Sequence, residues 1–280
     1  MGEHWQRHLA ATVDVASTIE QAMVGGAVAD RPAYAFGSGY EAALHALVPS
    51  LSRATLASLC VTESGGGHPR AIETTLIAGR LAGQKRFATL SPVADVLLVA
   101  ATEGDDGAGR KRLRLVQVSR SMPGVGIEPM EELPFIPEVP HAKVRVDVEV
   151  PDDAVLPGDG WLRFVKPFRT VEDLHVCAAI AAYLLAVATA HDFPRDLRER
   201  LLAGLFTLRA LAAEPADDAA VHLALAGALA TLRAVITDAE PAWRTVPEEV
   251  ATRWERDRAV LTVARSVREK RTEAAWTALE

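Results

Sequence analysis

The stretch that decides the fold covers residues 58–101 and reads SLCVTESGGGHPRAIETTLIAGRLAGQKRFATLSPVADVLLVAA. It holds two runs of strand-forming residues, 56–62 and 86–90, which are separated by three glycines and by a turn predicted at residues 82–84. Each run contains a threonine near its end, Thr62 and Thr89, whose hydroxyl group can both donate and accept a hydrogen bond on a stiff β-branched stem. The pattern predicts two strands whose threonines hold one planar heterocycle between them.

Three motifs in and around this stretch resemble the middle domain of the acyl-CoA dehydrogenases, flavoenzymes that oxidise acyl thioesters across the α and β carbons. The family pattern C-V-T-E-P-G-x-G-S-D corresponds to CVTESGGGHP at residues 60–69, in which Ser64, His68 and Pro69 replace the proline, serine and aspartate of the pattern. The pattern G-x-K-x-[WF]-I-T corresponds to GQKRFAT at 83–89, with Ala88 in place of isoleucine, and A-D-x-x-x-V-x-A corresponds to ADVLLVAA at 94–101. Three matches in the right order are more specific than any one of them. A small β-sandwich with glycine turns is the alternative for the same residues.

Residues 1–55 are predicted to contain two helices. Apolar residues from Trp5 to Ile19 recur at helical spacing, and Gly25 and Gly26 are expected to end this helix. A second helix is predicted at residues 39–48, opening near Ser38 with Glu41 as its capping partner. The resembled family has a full helical bundle in this position, so most of that amino-terminal helical domain is expected to be missing.

Residues 56–159 show the period of two that β-strands require. In KVRVDVEV, the valines from Val144 to Val150 alternate with charged residues, which predicts a half-solvated antiparallel strand. The apolar residues of 113–118 are predicted to pair with ADVLLVAA across a glycine-rich turn. Strands without interposed helices favour an antiparallel β-barrel or sandwich.

Residues 160–280 are predicted to be helical, with segments at 170–191, 195–213, 217–238 and 247–278. Long helices joined by short loops favour a four-helix bundle, which the resembled family also has and uses to pair its subunits. The predicted fold class is therefore α+β and multidomain, with a short helical region at 1–55, a flavin-binding type of β-domain at 56–159 and the bundle at 160–280.

The resemblance implies FAD as cofactor and assigns residues to it. Val61 and Thr62 are expected at the pyrimidine edge of the flavin, Phe87 against the ring, and Thr89 towards N5. The alternatives are that Phe87 is a core residue and that both threonines are ordinary strand residues.

The resemblance also implies a substrate site for an acyl-CoA or another acyl thioester. Gly67 and His68 match the family's G-S pair near the thioester, with histidine in place of serine. Arg169 matches an arginine at the start of the bundle and is expected near a CoA or nucleotide phosphate. Its alternative role is an ion pair with a carboxylate close in sequence, Glu172 or Asp173.

The catalytic base of the family, a glutamate, has no clear counterpart. In one variant of the family the glutamate directly precedes the arginine at the start of the bundle, and here Phe168 occupies that position before Arg169. In the other variant the glutamate lies in a Y-E-G-T motif, and the most similar segment here is RWERDR, which contains Glu255. Glu255 is the candidate base, and the alternative is that it belongs to a charged helix face. Two functions follow: an FAD-dependent acyl-CoA dehydrogenase-like oxidoreductase, or a non-catalytic homologue that serves as a binding or partner subunit.

Composition narrows the classes of partner. Thirty basic and 37 acidic residues give a net charge of −7, which disfavours nucleic acid as the main partner. Cys60 and Cys177 lie in apolar surroundings with no paired framework, which favours a reducing cytoplasm. No metal site and no membrane-spanning segment is predicted. The family implies an electron-transfer flavoprotein as electron acceptor and a homodimer or homotetramer.

Overall fold

The computed structural model describes residues 2–280, and in these residues the chain folds into eight α-helices and seven β-strands, an α+β protein. The helices are α1 (Gly2–Thr12), α2 (Thr18–Ala27), α3 (Pro32–Leu47), α4 (Lys166–Ala190), α5 (Arg195–Leu211), α6 (Ala219–Asp238), α7 (Glu248–Asp257) and α8 (Arg265–Leu279). The strands are β1 (Ala57–Cys60), β2 (Thr75–Ile77), β3 (Arg80–Thr89), β4 (Val96–Asp105), β5 (Lys111–Ser119), β6 (Val125–Pro129) and β7 (His141–Glu149).

These elements group into two compact units. The helical unit comprises residues 2–46, Leu133–Glu138 and Thr170–Glu280. The β unit comprises Leu47–Glu132 and Val139–Arg169. The three-part division of the sequence at residues 55 and 159 stays a prediction.

The β unit is built on one mixed sheet, in the order β1-β4-β2-β3-β7-β6, with β5 also paired to β4. Antiparallel pairing holds for β2 with β3, β3 with β7, β4 with β5 and β6 with β7. The prediction of a purely antiparallel sheet is wrong, because β4 runs parallel to both β1 and β2. An alternating pattern tells which face of a strand is buried, but not the direction of its neighbour.

The core of the β unit follows the predicted alternation. Val144, Val146, Val148 and Val150 are buried, while the charged residues between them point outward or lie at the edge of the core. The predicted pairing of β4 with β5 is confirmed, with Leu97 opposite Val118 and Val99 opposite Val116.

The turn predicted at residues 82–84 is wrong, because these residues lie inside β3. The chain turns instead at Ala78 and Gly79, whose φ angles are 48° and 79°. Gly83 has another purpose: a Cβ added there would lie 2.3 Å from Thr74 Oγ1 and 2.6 Å from Thr74 Cα. Glycine is needed at this position because the backbone of Thr74 approaches it closely, not because the chain reverses direction here.

The first predicted helix is two helices, α1 and α2, separated at residues 13–17. Gly25 and Gly26, expected as a helix stop, lie inside α2. A Cβ on Gly26 would be 2.0 Å from the carbonyl oxygen of Ala179, and one on Gly25 would be 2.1 Å from His8 Nδ1. The two glycines therefore allow neighbouring elements to pack closely against α2.

The second predicted helix begins earlier than expected, at Pro32, so Ser38 and Glu41 lie in the middle of α3 and do not form its capping box. Ser38 is fully buried, and its hydroxyl is 2.9 Å from His4 Nε2 and 3.1 Å from His8 Nδ1. The serine thus joins α3 to α1 inside the helical unit.

The carboxy-terminal segments form close to their predicted positions, with one difference. The segment 247–278 is broken between α7 and α8 by a 3₁₀ turn at Arg258–Leu261. In this part of the chain α5 packs on α6, and α6 packs on α8. A regular four-helix bundle stays a prediction.

By length and composition alone, two helical stretches could cross a membrane: Trp161–Ala190 and Ala219–Asp238. In the first, 78% of the most apolar window is buried, as in the core helix of a globular protein, and in the second 28%. The prediction that the chain has no membrane-spanning segment remains a prediction.

Candidate functional site

The two threonine-bearing segments lie side by side in the β unit. The backbone N–H of Arg86 donates to the carbonyl of Thr62 at 2.9 Å. The Ser58 hydroxyl donates to the carbonyl of Thr89 at 2.7 Å. Hydrogen bonds thus join the segment carrying Thr62 to the one carrying Phe87 and Thr89, although β1 and β3 are not formal neighbours in the sheet.

Phe87 has an unusual backbone conformation. The pairing of β3 with β7 is interrupted between Lys85 and Ala88, and within this bulge Phe87 has a φ of 57°. A bulky residue at positive φ costs about 1–3 kcal/mol and is often found at a functional site. The Phe87 side chain is 51% exposed, so the alternative that it is a core residue is wrong. The bulge presents an aromatic ring to solvent.

The glycine triplet forms a tight reversal next to Thr62. Glu63 and Gly66 exchange backbone hydrogen bonds of 3.0 Å in both directions, and Gly66 has a φ of 107°. This turn brings Gly67 against the predicted site residues: a Cβ placed on it would lie 3.3 Å from Thr62 Oγ1, 3.7 Å from Arg169 Nη2 and 3.8 Å from Val61 Cγ1. The structure therefore brings Val61, Thr62, Gly67 and Arg169 together around a position with no side chain.

His68 follows the turn and caps a short 3₁₀ helix, where its Nδ1 accepts a hydrogen bond of 3.3 Å from the backbone N–H of Arg70. Its ring centroid is 5.9 Å from that of Trp161, with the planes tilted by 53°. Trp161 begins a single π-helical turn, Trp161–Val165, a feature that is frequent at functional sites. Sequence reasoning missed Trp161, since nothing local links it to His68.

Sequence reasoning also missed a buried ion pair that joins two of the motifs. Lys85 Nζ lies 2.5 Å from Glu63 Oε1, and the side chains are 0% and 6% exposed. Glu63 also accepts hydrogen bonds from the backbone N–H groups of Glu73 and Thr74 and from the Thr74 hydroxyl. Burial raises the pKa of Glu63, but the hydrogen bonds and charge of Lys85, together with the backbone donors, outweigh burial and hold this pKa below its usual value.

A polar cavity of about 450 Å³ opens beside this ion pair. Arg86, Lys143, Gln84 and Ser64 are among its lining residues. The Arg86 guanidinium carbon lies 4.4 Å from the centroid of the Phe87 ring. The cavity therefore adjoins the exposed aromatic ring through Arg86.

Glu255 lies on α7 of the helical unit and is 67% exposed. Its Oε1 is 2.9 Å from Arg258 Nη2, and Arg258 also binds Glu240 at 2.7 Å. These contacts are those of a charged helix face, the alternative considered for this residue. Its assignment as a base stays a prediction.

Arg169 had two candidate ion-pair partners close in sequence, Glu172 and Asp173. Asp173 is bound by other residues, with Arg268 at 2.7 Å and Arg271 at 2.6 Å from its two carboxylate oxygens. Arg169 lies in the β unit beside the Gly67 turn, where its Nη2 would be 3.7 Å from a Cβ placed on Gly67, and its pairing with Glu172 stays a prediction. Across residues 2–280, histidine, cysteine, aspartate and glutamate form no group of three or more that could hold a metal ion.

Solved structures of acyl-CoA dehydrogenases share this fold. Butyryl-CoA dehydrogenase from Megasphaera elsdenii is 17% identical, and the similarity covers 97% of this chain and 85% of that chain, with a TM-score of 0.70. A chain from the electron transferring flavoprotein structure of Acidaminococcus fermentans is 18% identical, with coverage of 92% and 81% and a TM-score of 0.69. The FAD complex of PigA is 13% identical, with coverage of 94% and 82% and a TM-score of 0.67.

No protein-family model matches the sequence, and no curated protein sequence matches it. Identities this low establish a shared fold and nothing finer. The chain has the fold of the acyl-CoA dehydrogenases, as the motifs around Thr62 and Phe87 predicted.

Proposed function

We propose that this protein is an FAD-dependent oxidoreductase of the acyl-CoA dehydrogenase type, acting on the CH–CH group of an acyl thioester. The observation that carries the proposal is the conformation of Phe87. Its φ is 57°, its aromatic ring is half-exposed, and the preceding residue, Arg86, is hydrogen-bonded to Thr62. A bulky residue held at positive φ costs free energy, and such strained positions cluster at ligand-binding and active sites.

The residues present fit a flavin. Phe87 offers a flat apolar surface, while Val61 and Thr62 offer backbone N–H groups and a hydroxyl for the polar edge of the ring, with Thr89 at the end of the strand that carries Phe87. Bound FAD would accept a hydride from the β-carbon of the substrate. The contribution of the chain is to bind the ring, to fix its orientation and to exclude water from one face.

Gly67, His68 and Arg169 are proposed to contact the substrate. The absence of a side chain at Gly67 leaves room beside Thr62 and Arg169, and the guanidinium of Arg169 can bind a phosphate of CoA. His68 and Trp161 form a polar and aromatic wall next to this turn. Electron transfer to an electron-transfer flavoprotein, assembly as a homodimer or homotetramer and residence in the cytoplasm are further parts of the proposal.

The second candidate function is a non-catalytic homologue that keeps the fold as a binding or partner subunit. The environment of Glu255 favours it: a base that removes an α-proton works best in a dry site, and Glu255 is largely exposed and paired with Arg258. Under this alternative the chain binds its ligand without turnover.

A visible spectrum separates the two functions. The FAD-loaded protein is mixed without oxygen with a panel of acyl-CoA thioesters, and an active enzyme is expected to lose its flavin absorbance with at least one of them. Glu255→Gln is expected to abolish this bleaching and retain FAD, whereas the control Glu249→Gln on the same helix leaves bleaching intact. FAD that stays oxidised with every thioester would favour the non-catalytic homologue, and equal bleaching by both variants would rule out Glu255 as the base.

A further inference from the structure

Arg86 and Phe87 are consecutive residues of β3, yet their side chains lie together. In a regular strand, neighbouring side chains point to opposite faces of the sheet. The bulge between Lys85 and Ala88 and the positive φ of Phe87 break this alternation, and the Arg86 guanidinium comes to lie 4.4 Å from the centroid of the Phe87 ring. The bulge thus delivers a positive charge together with the aromatic ring.

Within residues 2–280, no carboxylate forms an ion pair with the Arg86 guanidinium, although Glu73 lines the same polar cavity. The Nε of Arg86 is buried without a hydrogen-bond partner among the described residues. The other cations of the same cavity are matched: Lys85 binds Glu63, and Lys143 binds Glu128 at 2.7 Å. Among the described residues that line this cavity, Arg86 is therefore the cation without an ion-pair partner. Its positive charge can act on a ligand that packs against Phe87.

We propose that Arg86 is a positioning residue that raises the reduction potential of a flavin bound against Phe87. This inference rests on the proposed FAD-dependent function. Reduction of the flavin ring by two electrons with uptake of one proton leaves one negative charge on the ring, and a fixed positive charge nearby stabilises that state over the neutral oxidised ring. Arg86 acts across the aromatic ring and takes no part in proton or hydride transfer.

Exposure to solvent limits the size of the effect. Phe87 is partly exposed, so solvent weakens the field of the guanidinium but does not remove it. We expect the loss of the charge to change the two-electron reduction equilibrium by about tenfold, which corresponds to about 30 mV.

The test compares FAD-loaded wild-type protein with Arg86→Gln, Arg86→Lys and a control, Arg80→Gln. Arg80 is on the same strand, in an exposed ion pair with Asp147, so its variant removes the same charge away from Phe87. Midpoint potentials are measured by equilibrium reduction with a reference dye, and FAD dissociation constants by quenching of flavin fluorescence. Arg86→Gln is expected to lower the potential by about 30 mV with less than a threefold change in Kd, while Arg86→Lys and Arg80→Gln stay near the wild-type potential.

Three results would overturn the inference: an unchanged potential in Arg86→Gln, an equal drop in Arg80→Gln, or loss of FAD from Arg86→Gln but not from Arg86→Lys, which would make Arg86 a binding contact. A wild-type protein that binds no FAD would overturn the proposed function as well, whereas FAD bound with an unshifted potential would overturn the role of Arg86 alone.

Discussion

Lys85 Nζ and Glu63 Oε1 lie 2.5 Å apart in the interior of the β unit, and this ion pair ties the glycine turn to β3. Glu63 precedes the turn that places Gly67, and Lys85 precedes the bulge that presents Phe87. Lys85 Nζ also lies 3.3 Å from the carbonyl of Val61. One buried charge pair thus fixes the relative positions of the residues proposed to hold the flavin.

Removing one member of this pair should be costly. Lys85→Met leaves the Glu63 carboxylate buried without its counter-charge, and we expect a loss of about 3–5 kcal/mol in the free energy of unfolding. The control Lys143→Met breaks an exposed pair with Glu128 and should cost at most about 1 kcal/mol. Urea unfolding of both variants measures the difference, and equal costs would show that the buried pair does not organise the β unit.

We expect Phe87 to contribute to FAD binding and little to the free energy of unfolding. Phe87→Gly relieves the strain of positive φ while losing a half-buried ring, so the free energy of unfolding should change by no more than about 1 kcal/mol. FAD affinity should fall at least tenfold. Phe168→Ala, at a buried site, should instead cost about 3–5 kcal/mol. Thermal unfolding with and without FAD tests both, and unchanged FAD affinity in Phe87→Gly would count against the flavin site.

The glycines of the helices should respond in opposite ways to the same substitution. Gly26→Ala brings a methyl group into the carbonyl oxygen of Ala179, and the clash is expected to destabilise the helical unit by about 2–3 kcal/mol in spite of the better helix propensity of alanine. Gly227 lies in α6 with no atom within 4 Å of an added Cβ, so Gly227→Ala should stabilise the protein by about 1 kcal/mol. Denaturant midpoints compare the two, and stabilisation by both would contradict the close approach at Gly26.

Acid should weaken the contact between α1 and α3. Burial lowers the pKa of both His4 and His8 to about 4, helped by Arg7 for His4 and by His4 and His45 for His8. The unfolded chain takes up protons near the ordinary histidine pKa of about 6.5, and the folded chain does so only near pH 4, so stability falls as the pH drops from about 6.5 to about 4. The loss is at most about 3 kcal/mol for each histidine.

Urea unfolding between pH 7 and pH 4.5 measures this effect. His8→Asn removes one of the titrating groups and should flatten the decline in stability over this range. A decline as steep in His8→Asn as in the wild type would show that the buried histidine does not carry it.

Sequence reasoning succeeded where the signal is local. The valines of β7 alternate because one face of the strand is buried, and the motifs that contain Thr62 and Phe87 are contiguous, so both were readable from the chain. The sequence also supported the right fold, through motifs whose order and spacing match those of a known fold.

What sequence reasoning missed depends on contacts between distant residues. A glycine is needed at position 26, inside a helix, because Ala179 from a distant part of the chain approaches it closely, and local sequence patterns do not reveal that contact. The bulge at Phe87 and the parallel pairing of β1 with β4 are properties of strand neighbours. Lys85 is wholly buried, although lysine is almost never fully buried unless it is paired. Its burial could not be predicted without knowing that Glu63 is its partner.

The most direct test of the central claim is a titration of the purified, FAD-free protein with FAD, followed by absorbance and flavin fluorescence. The account predicts saturable binding of one FAD per chain, a rise in the melting temperature on binding and at least tenfold weaker binding by Phe87→Gly. A protein that leaves free FAD fluorescence unquenched and shows no thermal shift would contradict a flavin site at Thr62 and Phe87.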